Sequence, residues 1–154
     1  MPVEGLSLAN LESFIGLEIG VSEWVTLTQE RINQFADCTG DQQWIHVDAD
    51  RAAASPFGTT IAHGYLTLAL LAQSTFELIV KPTGIGAALN YGLDRVRFLA
   101  PVKSGSRVRN RMRLLTVEDK GNGRLLLTTE NAIEIEGETK PALIANALIM
   151  AMPA

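Results

Sequence analysis

The sequence predicts an α+β domain in which a curved antiparallel sheet wraps around one long helix. Three observations predict it. The stretch Ile61–Val80, IAHGYLTLALLAQSTFELIV, is apolar on nearly all sides of a helix, and such a helix must be surrounded. The second half of the chain is a run of extended segments, rich in alternating or β-branched residues and separated by glycine turns. Finally, 154 residues with 47% hydrophobic content suffice for one packed core, so residues 1–154 read as a single domain.

Taken in order, Leu8–Phe14 reads as a short helix and Leu17–Thr26 as a first strand. Thr28 can N-cap a helix through Cys38, because its hydroxyl accepts an orphan amide of the first turn. Ile32, Phe35 and Ala36 give that helix its apolar stripe. Thr39–Asp48, TGDQQWIHVD, follows as a loop, and Asp48 caps a short helix over DADRAAAS. Ser55–Thr60 is a loop before the long helix, which Lys81-Pro82 ends, and Thr83–Leu89 is a turn. An extended segment then runs to Pro101. Strands follow at Arg107–Asp119, Arg124–Glu136 and Ala142–Met150, joined through Gly121–Gly123 and Gly137-Glu138. Helices on one face of an antiparallel sheet make the class α+β.

Composition excludes several functions. A net charge of -4 argues against an electrostatic nucleic-acid binder. The single cysteine, Cys38, rules out an intramolecular disulfide, and no Cys/His zinc spacing is present. The most apolar stretch is interrupted by His63, Gln73, Ser74, Thr75 and Glu77, which fits a buried helix better than a membrane span. The N-terminus shows no basic start followed by an apolar run, so the expected location is the cytoplasm.

Arg107, Arg109, Arg111 and Arg113 recur at period two and share one face of a strand. They could bind phosphate, as in a coenzyme A nucleotide, or pair with carboxylates. A Gly121-Asn122 loop would set Arg113, Arg109 and Arg107 opposite Glu130, Glu134 and Glu136; an Asn122-Gly123 loop would shift the pairing but keep arginine against glutamate. The ladder therefore reads mainly as a charge-paired outer face.

Few residues are left for chemistry. No His-x3-His helix pattern with a carboxylate base supports a metal. Cys38 lies near a helix end rather than at a thiolate-favouring N-terminus, and no Gly-x-Ser-x-Gly occurs. His63 taken alone reads as structural. Asp41 and His46 stand apart: a carboxylate and an imidazole in one loop can converge on a single water and move its proton. Their bland alternative is a loop turn at Asp41 and a packed His46. A second feature favours the chemical reading. His63-Gly64 begins the long helix, whose first-turn amides have no intrahelical partners, and glycine admits a substrate carbonyl close to the backbone. An amide so placed stabilises a developing oxyanion, an effect of roughly 3–4 kcal/mol.

With FADCTGDQQWIHVDADRAAASPFGTTIAHGYLTLALL and LNYGLDRVRFLAPVKSGSRVR, the chain resembles the MaoC-like, or hydratase-2, branch of hot-dog-fold proteins, which includes NodN-like members. The resemblance runs from about Val21 to the C-terminus. It implies a hot-dog fold, catalytic roles for Asp41 and His46, and an oxyanion-hole amide at Gly64. It also implies (R)-specific hydration of trans-2-enoyl-CoA, no cofactor, and a homodimer whose sheets join edge to edge. Many members read Gly-Asp-x-Asn-Pro-x-His, whereas Gln43-Trp44 stand here. Gln43 could replace that asparagine as an amide donor to substrate, while Trp44 packs. Arg95 and Arg97 could reach a coenzyme A phosphate or be solvated. The alternatives are an acyl-CoA thioesterase on the same fold and a non-catalytic acyl-thioester-binding subunit.

Overall fold

The computed structural model describes residues 1–154. The strands are β1 (Glu18–Val21), β2 (Val25–Thr26), β3 (Ala87–Phe98), β4 (Arg107–Asp119), β5 (Leu125–Ile135) and β6 (Leu143–Met152). They form one antiparallel sheet in the order β1-β4-β5-β6-β3, with β2 also on β4. The helices are α1 (Gln29–Thr39), α2 (Trp44–Val47), α3 (Ala49–Ala53), α4 (Gly64–Thr75) and α5 (Lys81–Thr83), and Leu8–Phe14 is a 3₁₀ helix. A π-helical turn, Phe76–Val80, and then α5 continue α4 without a break, so the long helix runs through Lys81-Pro82, the end expected from the sequence, and stops at Gly84, whose φ of 68° is left-handed.

Strand alternation selects the face that meets α4. Val108, Met112 and Leu114 of β4 point inward, with Leu127 and Ile133 of β5 and Leu143 of β6. They close on Leu66, Leu71, Leu78 and Ile79 from the long helix. One inward position is polar. Asn110 donates through Nδ2 to Ser74 Oγ of α4 at 2.9 Å and to Asn131 Oδ1 of β5 at 2.8 Å. That pair of bonds fixes the helix along the sheet where apolar contacts would allow sliding.

The arginine ladder is charge-paired. Arg109 lies opposite Glu134 at 2.7 Å, Arg113 opposite Glu130 at 3.8 Å, and Arg107 bonds Glu136 at 2.7 Å. Arg111 faces Ala132 in this register and takes Glu18 of β1 instead, at 2.7 Å, with Glu134 at 3.0 Å. The register is the one a Gly121-Asn122 loop implies, but the loop itself differs. Lys120 N–H donates to Arg124 O at 2.9 Å, leaving three loop residues, Gly121–Gly123, all at positive φ. A bulge at Leu115, between the pairs Leu114–Thr129 and Thr116–Thr128, absorbs the extra residue.

Two other expectations change. The first strand splits into β1 and β2, because the Ser22 hydroxyl accepts the Asn110 amide at 2.9 Å in place of a ladder carbonyl. And the long helix is not fully surrounded: Tyr65, Ala69, Ala72 and Phe76 form an exposed stripe. β3 beside it pairs only with β6 and is exposed along most of its length. No helix is long and apolar enough to cross a membrane.

Asn110→Ala strands Asn131 Oδ1 and removes the hold on Ser74. Its urea-unfolding midpoint is expected to fall by the equivalent of about 1–3 kcal/mol. An unchanged midpoint would show that the polar hook adds nothing to stability.

Candidate active site

Helix α1 stops at Gly40, whose φ of 81° is left-handed and whose N–H donates to Ala36 O at 2.8 Å. The chain then turns at Asp41. Its Oδ1 accepts the Gln43 side-chain amide at 3.1 Å and the Gln43 backbone amide at 3.4 Å. This Asx turn starts α2, so His46 sits on a helical turn rather than in the loop expected for the motif. The turn carries the ring inward, leaving His46 5% exposed, whereas the Asp41 side chain is 37% exposed.

The hydrogen bonds fix the state of His46. Its Nδ1 lies 2.7 Å from Ile61 O, and a carbonyl only accepts, so Nδ1 carries the proton. Nε2 therefore keeps its lone pair, and it faces Asp41 Oδ2 at 4.0 Å. That gap is too long for a direct bond and wide enough for one water to bond both atoms. Burial pushes the His46 pKa down, with the His63 ring acting in the same direction, against the Ile61 bond and the Asp41 charge. The Gln43 amide is the main influence holding the Asp41 carboxyl below the usual range, with smaller help from both imidazoles. At neutral pH the pair is a carboxylate and an uncharged imidazole.

Gln43, expected as an amide donor to substrate, instead spends its amide on Asp41. It orients Oδ2 toward His46. Asp48 caps α3, accepting from Arg51 N–H at 3.0 Å, and Trp44 packs beneath the Arg51 guanidinium at 4.3 Å. Arg95 and Arg97 form no ion pair; Arg97 donates to its neighbour's carbonyl, Val96 O, at 2.7 Å.

Gly64 opens α4, so its amide has no acceptor within the helix. A Cβ there would come to 3.0 Å from the Phe98 ring, so any larger residue would push the ring outward. A cavity of about 330 Å³ is lined by both His46 and Gly64, with Ile45, Ile61, Phe98 and Pro101, while Asp41 lies outside its lining. Two cavities of about 400 Å³ lie elsewhere, one by the N-terminus and one between α4 and β3, and neither touches the pair. Size does not choose between the three; the buried imidazole of His46 beside the unpaired Gly64 amide does.

Two residues contribute that sequence reasoning did not assign. Gln29 of α1 donates to His46 O at 2.7 Å and accepts from the Thr60 hydroxyl, tying α2 to α1; nothing in its helical spacing signals this. His63 stacks on His46 with ring centroids 3.8 Å apart and planes inclined by 24°. Its place beside Gly64 was the only signal. Asp41, His46 and His63 offer ligand atoms within 4.8 Å of one another. Each imidazole already spends one nitrogen on a backbone carbonyl, and Nδ1 of His63 is sealed from solvent, so the cluster suits proton transfer better than ion binding.

The family model described as "MaoC like domain" matches residues 11–135. The 3-hydroxyacyl-thioester dehydratase Z of Mycobacterium tuberculosis is 52% identical over 143 residues, covering 93% of this chain and 94% of that one. Nodulation protein N of Rhizobium leguminosarum is 54% identical over 142 residues, covering 92% and 88%. Among solved structures, the unliganded R-hydratase PhaJ1 from Pseudomonas aeruginosa superposes with a TM-score of 0.70 at 25% identity, over 88% of this chain and 81% of that one.

The geometry fixes an expected titration. Nitrogen-15 NMR should show His46 protonated at Nδ1 when neutral and titrating below the ordinary value of 6.5. A proton on Nε2 in the neutral form would contradict the site described here.

Proposed function

The chain belongs to the MaoC-like dehydratase family, and on that premise we propose that it is an (R)-specific enoyl-thioester hydratase, acting reversibly on trans-2-enoyl-CoA. The observation that carries this reading is the 4.0 Å gap between His46 Nε2, with its lone pair free, and Asp41 Oδ2. His46 lines the same cavity as Gly64. The likeness to a 3-hydroxyacyl-thioester dehydratase and to an R-hydratase supports the substrate class and the reaction.

The proposed reaction begins with one water held between His46 and Asp41. As its oxygen bonds to the β-carbon, His46 Nε2 accepts its proton, and the Asp41 carboxylate stabilises the imidazolium. The double-bond electrons move toward the thioester oxygen, which accepts a hydrogen bond from Gly64 N–H. The resulting enolate then takes a proton at the α-carbon from the same pair, on the same face. The pair ends with the protons it began with, and the product is a (3R)-3-hydroxyacyl thioester. No cofactor is required. Gln43 serves by aiming Asp41.

A thioesterase would direct the same water to the thioester carbonyl. The test is incubation with crotonyl-CoA and a longer enoyl-CoA, following both enoyl absorbance and free thiol. Loss of absorbance without thiol is expected; thiol release without hydration makes the protein a thioesterase, and no reaction makes it a binding subunit. Asp41→Asn and His46→Gln should each lower kcat by about 10²-fold or more with circular dichroism unchanged. A variant that keeps near-normal turnover takes that residue out of the mechanism.

We also propose a homodimer joined through β3. Support comes from its unpaired edge and from exposed Leu89, Tyr91, Leu93 and Phe76 beside it, since a long exposed apolar edge strand is otherwise an aggregation hazard. Light scattering should give about twice the 16.6 kDa chain mass, and Leu93→Glu should shift it toward the monomer. A monomeric wild-type protein would refute the edge-to-edge arrangement.

A further inference from the structure

We propose that His63 is a positioning residue that couples the water-activating pair to the thioester-binding amide, holding the His46 ring and the Asp41 backbone against the first turn of α4. It extends the hydratase reading, and its kinetic consequences rest on it. Three contacts carry the inference. His63 is the residue immediately before α4, so its backbone sets the position of the Gly64 amide, and its own carbonyl accepts from Leu66 and Thr67 in the first turn. Its ring is the surface on which His46 lies, at 3.8 Å and 24°. Its Nε2 lies 3.0 Å from Asp41 O, so Nε2 donates and ties down the residue whose carboxylate faces His46.

The remaining nitrogen argues against a merely packed ring. Once Nε2 carries the proton, Nδ1 is an acceptor, and it is buried without any hydrogen-bond partner in a residue 2% exposed. A buried polar atom left unpaired is destabilising, a penalty that phenylalanine would avoid. Phe35 of α1 already covers the ring at 5.0 Å, so the site is built to hold an aromatic plane. What phenylalanine could not supply is the donor to Asp41 and a polarisable second imidazole under the first.

The groups acting on His46 are few. The Asp41 loop contributes its carboxylate, Ile61 its carbonyl, and the residue before α4 is His63; α1 presents Phe35 to His63, and residues 98–102 line the cavity with apolar groups and backbone. By covering one face of His46 at 3.8 Å, the His63 ring adds to the burial that is the largest cause of the lowered His46 pKa. His63 would thus keep the neighbouring imidazole unprotonated as well as correctly aimed.

The test uses the fact that the chain has two histidines. Any substitution of His63 leaves His46 as the sole imidazole, so its NMR titration is unambiguous. His63→Gln keeps a side-chain donor and loses the ring; His63→Phe keeps a ring and loses the donor. In His63→Gln, His46 is expected to titrate at higher pH than in the wild type, moving the acid limb of kcat/KM upward with it. In His63→Phe, kcat with crotonyl-CoA is expected to fall about tenfold or more while KM changes less than about threefold. His63→Gln should recover part of that loss, and it supplies the kinetic comparison if His63→Phe does not fold. An unmoved His46 titration in His63→Gln overturns the proposal, as does kcat within about twofold of wild type in the folded donorless variant. If the wild type hydrates nothing, the hydratase reading fails, and the titration still decides whether His63 governs His46.

Discussion

The hydrogen bond from His46 Nδ1 to Ile61 O, 2.7 Å long, is the constraint on which the site depends. Its net contribution to folding is on the order of 1 kcal/mol, an ordinary value. Its chemical effect is larger, because it decides which nitrogen of the imidazole is free. Ile61 is placed for this by its own contacts: its N–H donates to Ile45 O at 3.0 Å, and it bridges to Lys103. The carbonyl that selects the tautomer is thus held on one side by α2 and on the other by the approach to β4. Three residues later the chain enters α4, so one short segment sets both the proposed base and the proposed oxyanion amide.

The rest of the fold keeps that segment still. The sheet grips the long helix through an apolar interior divided into two clusters, and the Asn110–Ser74 bond fixes the helix along its axis. With the helix fixed, Gly64 and Phe98 meet so closely that a Cβ would push the ring aside. Gln29 performs the same service from α1 by holding the His46 carbonyl. Asp41 and His46 therefore sit on a loop and a short helix that are tied to longer elements, Asp41 through His63 before α4 and His46 through Gln29 of α1.

Much of this was legible in the residues. Helix–strand periodicity placed the long helix and β4, and the capping chemistry of Thr28 and Asp48 is as expected, each side chain accepting an amide three residues on. The spacing of Asp41 and His46 and the glycine after His63 pointed to the groups that converge. What was hidden depends on tertiary contact. No local pattern announces that Ser22 will take an amide from Asn110 and break the first strand. The bulge at Leu115 was hidden because one extra loop residue and one bulge cancel in the register, leaving the same arginine–glutamate pairs. The contacts of His63 with His46 and Asp41 were hidden because a lone histidine shows its partners only once its neighbours are placed. The exposed stripe on α4 was missed for a simpler reason: apolarity says that a surface is to be covered, and not by which chain.

The most direct measurement of the central claim is the fate of the water. Reaction of an enoyl-CoA in water enriched in heavy oxygen and deuterium leaves a label at each atom that water reaches. If Asp41 and His46 add water across the double bond, heavy oxygen appears in the 3-hydroxyl of the (3R) product, and one deuterium appears at the α-carbon on the same face. Heavy oxygen in the free carboxylate, with the double bond intact, would contradict that chemistry and place the attack at the thioester carbonyl.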